Sequence, residues 1–331
     1  LIHSTVYEFA EQDDGTYDFT DIYKYIADDI KEADLACIQQ ETILVNDPNR
    51  YANYPCFGTP AEMADSLASV GFDVVCQASN HTLDQGTTGI EDTLAAWKKH
   101  PEVTMLGIHG TQEEADKIAV VEKNGIKIAM LDYTYGLNEF VPEQDYYVDR
   151  MDADHKERVG RQLDEAKTLA DITVVFMHDG TEDQFTPDED QKTWAQFFAD
   201  HGVGLVIGTH PHVVQNAEWL TGANGNTTFV VYSLGNFINA QSSADNTIGA
   251  ILDVYFDKTT QPDGSSSITI RDPKLHCVIS QYEAGYKNIR VIPYSQYTDE
   301  LGAAHGVFTL SRAYIESVLY GAIDEQFITL D

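Results

Sequence analysis

An α/β fold is what this sequence predicts, and three observations carry the prediction. Short apolar runs that read as buried strands alternate with segments of helical period. Helix-start signals recur between them, most clearly Thr59-Pro60-Ala61-Glu62, with Thr as N-cap, Pro at N1 and Glu at N3. Four of the apolar runs are followed directly by polar clusters rich in His, Asn and Glu. In an open α/β sheet, the loops beyond the carboxyl ends of the strands form the functional crevice, so clusters in that position converge.

Taken in order, residues 21–33 read as a helix, with Ile22, Ile26 and Ile30 four apart. Residues 35–38 read as a strand leading into Gln39-Gln40-Glu41. A helix follows Thr59, and residues 72–76 form a strand leading into Asn80-His81-Thr82-Leu83-Asp84. Thr88-Gly89-Ile90-Glu91 and Thr186-Pro187-Asp188-Glu189 repeat the capping pattern, so helices are expected after Thr88 and Thr186. Strands are expected at 126–131, at 172–177 before His178-Asp179-Gly180, and at 204–207 before Gly208-Thr209-His210-Pro211-His212. A helix fits 156–170, strands fit 229–232 and 251–256, and a last helix fits 310–323. Gln261-Pro262-Asp263-Gly264 reads as a hairpin turn between two β-like runs. The expectation is one α/β domain over residues 1–331, with 252–331 a strand-rich C-terminal portion.

Composition sets the bounds. The chain has 331 residues and 43% hydrophobic residues, enough for a sizeable core. The formal net charge of −34 argues against nucleic-acid and membrane-surface partners. It leaves an anionic substrate open, because a bound cation inverts the local field. No apolar run approaches the ~20 residues of a membrane-spanning helix. The start, Leu1-Ile2-His3-Ser4, has no basic or apolar leader pattern. Four cysteines, Cys37, Cys56, Cys76 and Cys277, show no CxxC spacing, and Cys37 and Cys76 read as small buried apolar groups. There is no G-x-S-x-G elbow, Walker loop or GxGxxG.

Among the clusters, His210-Pro211-His212 is the strongest local signal. In an extended segment the two imidazoles share one face, and Pro211 keeps His210 out of helical geometry. Alone it reads equally as a polar loop; beside the other clusters it reads as a metal site. Asn80 offers a hard oxygen ligand, His81 a general acid, and Asp84 a carboxylate to orient that imidazole. Asn80 and Asp84 also suit a helix N-cap. His178 ends an apolar strand and, by itself, reads as a core histidine; its company makes it a ligand. Glu41 reads as a carboxylate able to bridge two cations, or as a loop charge. Glu182 reads as an exposed carboxylate near the ligands, and Asn236, after Gly235, as a loop residue within reach.

In this order, the clusters resemble the bacterial capsule-synthesis protein family of the CapA type, associated with poly-γ-glutamate capsules. The resemblance rests on Gln39-Gln40-Glu41-Thr42, Ser79-Asn80-His81-Thr82-Leu83-Asp84-Gln85-Gly86 and Met177-His178-Asp179-Gly180-Thr181-Glu182. Ile207-Gly208-Thr209-His210-Pro211-His212-Val213-Val214-Gln215 and Tyr232-Ser233-Leu234-Gly235-Asn236-Phe237 complete it. It spans roughly the first three quarters of the chain. The family is similar to calcineurin-like metallophosphoesterases, which implies a four-layer α/β/β/α sandwich of the metallo-dependent phosphatase type. It also implies a two-metal centre, with Glu41, Asn80, His178, His210 and His212 as ligands and His81 as the catalytic acid; with Asp84 orienting that imidazole, His81 and Asp84 are the catalytic residues expected here, and divalent Mn, Zn or Fe the metal. Gln39-Gln40 stands where the family has Asn-Leu, and Asp179 where Trp is usual. The family's first strand ends in Gly-Asp, and this chain starts just past that point, so weak metal retention is expected.

The function expected from this is a metal-dependent hydrolase of the phosphoesterase type, acting in cell-surface capsule or poly-γ-glutamate biosynthesis. The expected partners are an anionic polymer or phosphoester substrate and other capsule-synthesis membrane proteins, with no nucleic acid. The expected location is extracellular or at the cell surface, anchored through a segment outside this sequence. The rival reading is a non-catalytic assembly factor that keeps the fold.

Overall fold

The computed structural model describes residues 1–262 and 266–330. Its main parallel strands fall into two sheets, not one open sheet. The first contains β1 (Cys37–Gln39), β4 (Val74–Cys76) and β5 (Thr104–Leu106), all parallel, with a separate two-stranded ladder of β2 (Leu44–Val45) and β3 (Thr59–Pro60). The second has six strands: β6 (Ala119–Lys123), β7 (Ile126–Thr134), β8 (Ile172–His178), β9 (Leu205–Thr209), β10 (Ala217–Thr221) and β11 (Thr227–Val231). Its order is β10-β11-β9-β8-β7-β6, with β7, β8, β9 and β11 parallel and the two edges antiparallel. The remaining strands, β12 (Ile248–Thr260), β13 (Ser266–Glu283), β14 (Lys287–Pro293) and β15 (Ile328–Thr329), build a third sheet around β13.

Alternation along the strands sets the layers, because successive side chains leave opposite faces of a sheet. On β8, Ile172, Val174 and Phe176 enter one core while Val175 and Met177 enter another. The second of these lies under α6 (Lys156–Leu169) and α7 (Glu189–Asp200), through Val159, Leu163, Ala195 and Phe198. The first is shared with Val74, Cys76 and Leu106 of the β1-β4-β5 sheet and with Leu275, Cys277, Ile279 and Ile292 of the β13–β14 pair. Val75, Val278 and Val291 leave the other side of those two sheets. They meet Val6 of α1 (Ser4–Ala10), Ile30 of α2 (Ala27–Glu32) and Leu67 of α3 (Glu62–Val70). Helix, sheet, sheet, helix is therefore the order of layers, the α/β/β/α sandwich that the resemblance implies. Each fully buried Val, Leu or Phe contributes about 1.5–3 kcal/mol relative to exposure.

Helix ends differ from expectation. Thr59 lies in β3, where its hydroxyl meets that of Thr42 at 2.7 Å, and α3 begins after Ala61. The helix α4 (Gly86–Trp97) starts before Thr88. Asp188, not Thr186, caps α7 in a full capping box with Gln191. The expected helix over 21–33 is split into a 3-10 turn, Thr20–Tyr23, and α2; Ile22 and Tyr23 of the first piece, Ile26 between them and Ile30 of the second all reach the core. The helix α9 (Arg312–Ala322) lies where the last one is expected, capped by Ser311. Three short helices complete the set: α1, α5 (Gln112–Ala115) and α8 (Asp299–Ala303). Strands β12 and β13 pair up to Thr260 and Ser266; Asp263 and Gly264 of the expected hairpin turn lie outside the described residues. Among the described residues, no helix is long and apolar enough to cross a membrane.

Candidate metal centre

The carboxyl ends of β1, β4, β7, β8 and β9 point to one edge of the sandwich, where both sheets deliver their polar loops. Glu41 arrives from β1, Asn80 and His81 from β4, His178 from the end of β8, and His210 and His212 from the turn after β9. All six side chains are buried. Glu41 Oε1 lies 3.6 Å from His212 Nε2 and 4.0 Å from His178 Nε2. His178 Nε2 is 2.9 Å from Asn80 Oδ1. The rings of His178 and His210 are 4.9 Å apart, those of His210 and His212 6.0 Å. Thus Glu41, Asn80, His178, His210 and His212 come together from four loops.

The His-Pro-His turn reaches the site by a different route from the extended one expected. His210 has φ 99° and His212 φ 61°, both in the region side chains rarely adopt. Each such residue costs on the order of 1–3 kcal/mol and persists only where its surroundings hold it. Gly208 lets the turn start: a Cβ there would meet the carbonyl oxygen of Tyr232 on β11's extension at 1.9 Å.

The imidazoles are oriented from behind. His212 Nδ1 faces Asn236 Oδ1 at 3.0 Å. The Asn236 amide nitrogen donates to the carbonyls of His212 and Asn246 and to Gln241, which fixes the amide and makes His212 Nδ1 the donor to Asn236 Oδ1. Its Nε2 faces the Glu41 carboxylate. His178 Nδ1 is held by the Thr209 hydroxyl at 2.9 Å. Glu41 Oε1 and His210 Nδ1 are buried without a hydrogen-bond partner. Ligand atoms of Glu41, His178 and His210 lie within 4.8 Å of one another, and unpartnered buried polar atoms in such a cluster are what a cation satisfies, so this donor set fits a divalent metal.

The electrostatics agree. Burial holds the His178 imidazole well below its ordinary value and brings His210 down to about 4. Both are neutral at pH 7, the state that ligates. Burial opposes ionisation of Glu41, but the field of His212 and His81 helps hold it below the usual carboxylate range. Its carboxylate is therefore charged.

His81 is of a different kind. Its Nδ1 sits 2.7 Å from Asp84 Oδ2, which also accepts from the Phe57 N–H at 2.7 Å. The Phe57 ring packs edge-on against the imidazole, 4.8 Å between centroids. Burial lowers the basicity of His81, but the Asp84 hydrogen bond and the field of Glu41, Asp84 and Glu182 outweigh it, so the pKa is raised. His3 also lies near: its Nδ1 accepts from the Ala240 N–H at 3.2 Å, and burial brings it down to about 4. Asp179, beside His178, is pushed up to about 7 by burial.

Two site residues escaped the sequence reading. Tyr135, just past β7, places its ring 4.8 Å from His210. Asn138 in the same loop accepts from the Asn80 amide at 3.2 Å and lies 3.4 Å from His81 Nδ1. Asn138 and Glu139 both have positive φ, at 47° and 69°. Nothing in Tyr135-Gly136-Leu137-Asn138-Glu139 forms a recognisable motif, and only pairing of β7 beside β8 brings the loop to the site.

Over 200 residues the chain is 29% identical to PGA biosynthesis protein CapA of Bacillus subtilis (strain 168), covering 60% of this chain and 51% of that protein. It is 28% identical over 183 residues to Capsule biosynthesis protein CapA of Bacillus anthracis, covering 54% and 42%. The chain spans about half the length of the curated relatives it matches. Among solved structures, likeness is distant. A hypothetical protein of Thermus thermophilus gives a TM-score of 0.43 at 16% identity, covering 82% of this chain and 90% of that one. The NAD nucleotidase of Haemophilus influenzae gives 0.41 at 13%, covering 79% and 46%. The family model "Bacterial capsule synthesis protein PGA_cap" matches residues 1–241, well over half of the sequence, and the chain belongs to that family.

Proposed function

We propose that this chain is a metal-dependent hydrolase of the phosphoesterase type that serves capsule or poly-γ-glutamate biosynthesis at the cell surface. The observation that carries the reading is the meeting of Glu41, Asn80, His178, His210 and His212 beside the His81–Asp84 pair. Those five residues are the ligands in this reading, and the whole chain acts as one domain. Bound divalent ions would polarise a phosphoryl or acyl oxygen and activate water. The protein's part is positional. Asn236 and Thr209 fix the ligand rings, Asp84 holds the His81 proton on Nδ1, and His81 gives a proton to the leaving group. A phosphoester or an anionic polymer is the substrate class, and membrane proteins of capsule synthesis are the partners; both rest on the family and its CapA relatives.

The test pairs two variants. Turnover of an aryl phosphate diester is measured after loading with Mn²⁺, Zn²⁺ or Fe²⁺, alongside metal content. His81→Ala should retain metal and cut kcat by about 10²–10⁴-fold, the contribution of a positioned acid. His210→Ala should lose metal and turnover together. Metal bound without turnover of any ester would favour an assembly factor that keeps the fold. If His81→Ala strips the metal, the acid assignment is wrong.

A further inference from the structure

Two groups of ligand-type atoms, each within 4.8 Å of one another, share His210. Glu41, His178 and His210 form the buried group; Glu182, His210 and His212 form the other, which reaches the surface through Glu182. By sequence, Glu182 is one exposed carboxylate among 54 acidic residues. Its place in the fold is not that of a free surface charge.

The turn that carries Glu182 is clamped on both sides. Gly180 has φ 124°, and a Cβ there would meet the buried Gln191 side chain at 2.6 Å. Thr181 donates its hydroxyl to Asp188 Oδ2 at 2.9 Å. Asp183, at φ 62°, donates its N–H to the Pro211 carbonyl at 2.9 Å and accepts from the Asn246 amide at 2.7 Å. The Gln184 carbonyl accepts from Gln215 Nε2 at 2.7 Å. Asn246 also donates to the His212 carbonyl at 3.3 Å. The turn and the His-Pro-His loop are thus one hydrogen-bonded unit, and Glu182 lies between its two anchored neighbours. His210 is the residue that the two groups share. His210 Nδ1 has no partner although the residue is 6% exposed, and an orphaned buried nitrogen is costly unless something fills it.

We propose that Glu182 is a carboxylate ligand of a divalent cation held with His210 and His212, on the open side of the centre. The proposal rests on the metal-centre reading above and extends it outward, past the ligands that the resemblance implies. One carboxylate and two imidazoles suit Mn²⁺, Zn²⁺ or Fe²⁺. An exposed carboxylate exchanges with water more readily than the buried Glu41. The ion at Glu182 is therefore the more weakly held, and its position is the one an incoming substrate oxygen can reach.

The test is calorimetric titration of the metal-stripped 331-residue chain with Mn²⁺, and metal content after dialysis against Zn²⁺, for wild type, Glu182→Gln and Glu189→Gln. Glu189 is an exposed carboxylate paired, among the described residues, with Lys192 on α7, and its variant controls for lost charge. Glu182→Gln should weaken binding of one ion by at least about tenfold, or drop one retained ion, with metal-free thermal unfolding unchanged. Glu189→Gln should match wild type. If Glu182→Gln binds as wild type does, or Glu189→Gln weakens binding equally, the Glu182 role falls while the buried centre stands. If wild type binds no divalent cation, the metal-centre reading falls with it.

Discussion

Replacing Asp84 by Asn tests how the fold sets up His81. The Asp84 side chain is fully buried, and one oxygen serves two donors, the Phe57 N–H and His81 Nδ1, each at 2.7 Å. Its other oxygen is buried without a partner. In Asp84→Asn the amide oxygen can keep both contacts, but without charge. A hydrogen bond to a charged group contributes about 1.5–3 kcal/mol against 0.5–1.5 for a neutral one, so about 1 kcal/mol is lost at each. The amide nitrogen takes the place of the unpartnered oxygen and becomes a buried orphan donor, costing about 1–3 kcal/mol more. The sum is roughly 3–5 kcal/mol. The loss at Nδ1 falls on the imidazolium, so the His81 pKa should drop by about one pH unit in the metal-free protein. His81 has a raised folded pKa, so its contribution is full below the unfolded value and is lost as pH rises through the folded one. Asp84→Asn should therefore cost about 1 kcal/mol more near pH 5.5 than near pH 9. Histidine titration by NMR reads the first effect, and urea unfolding at the two pH values reads the second. An unmoved His81 midpoint with a pH-independent stability loss would refute the account.

Other outcomes are expected from single contacts. Gly208→Ala places a Cβ against the Tyr232 backbone, so urea unfolding should show a loss of about 1–3 kcal/mol or more together with weaker metal binding; a loss under about 0.5 kcal/mol would mean the turn has slack. His305, packed between the rings of Tyr282 and Phe308, is brought down to about 4 by burial. Its native form is neutral, so the unfolded chain takes up a proton first, and stability rises with pH from about 4 to 6.5 and is flat above. Relative to His305→Gln, which does not titrate, wild type should lose about 2 kcal/mol between pH 7 and pH 5, and an equal pH profile for the two would sink this reading.

Several features of this protein are set locally and can be read along the chain. Apolar runs such as 172–177 become strands because alternate residues serve two cores, and that demand shows as a continuous apolar stretch. The clusters at Glu41, Asn80–Asp84, His178 and His210–His212 are legible for the same reason: each sits directly past such a run. The His81–Asp84 contact spans one turn and is local as well. Tertiary structure decided the rest. Thr59 and Thr186 lost their expected cap roles because β3 pairing and the Asp188–Gln191 box compete for the same backbone. The His-Pro-His turn takes left-handed backbone, which contacts from Asn236, Asn246 and Asp183 hold in place across 24 residues or more of sequence. Asn138 meets His81 across 57 residues, and Glu182 meets His212 only because its turn is tied to Pro211. Periodicity and capping are properties of neighbours in sequence; which loops share an edge depends on how two sheets pack, and no local pattern encodes that.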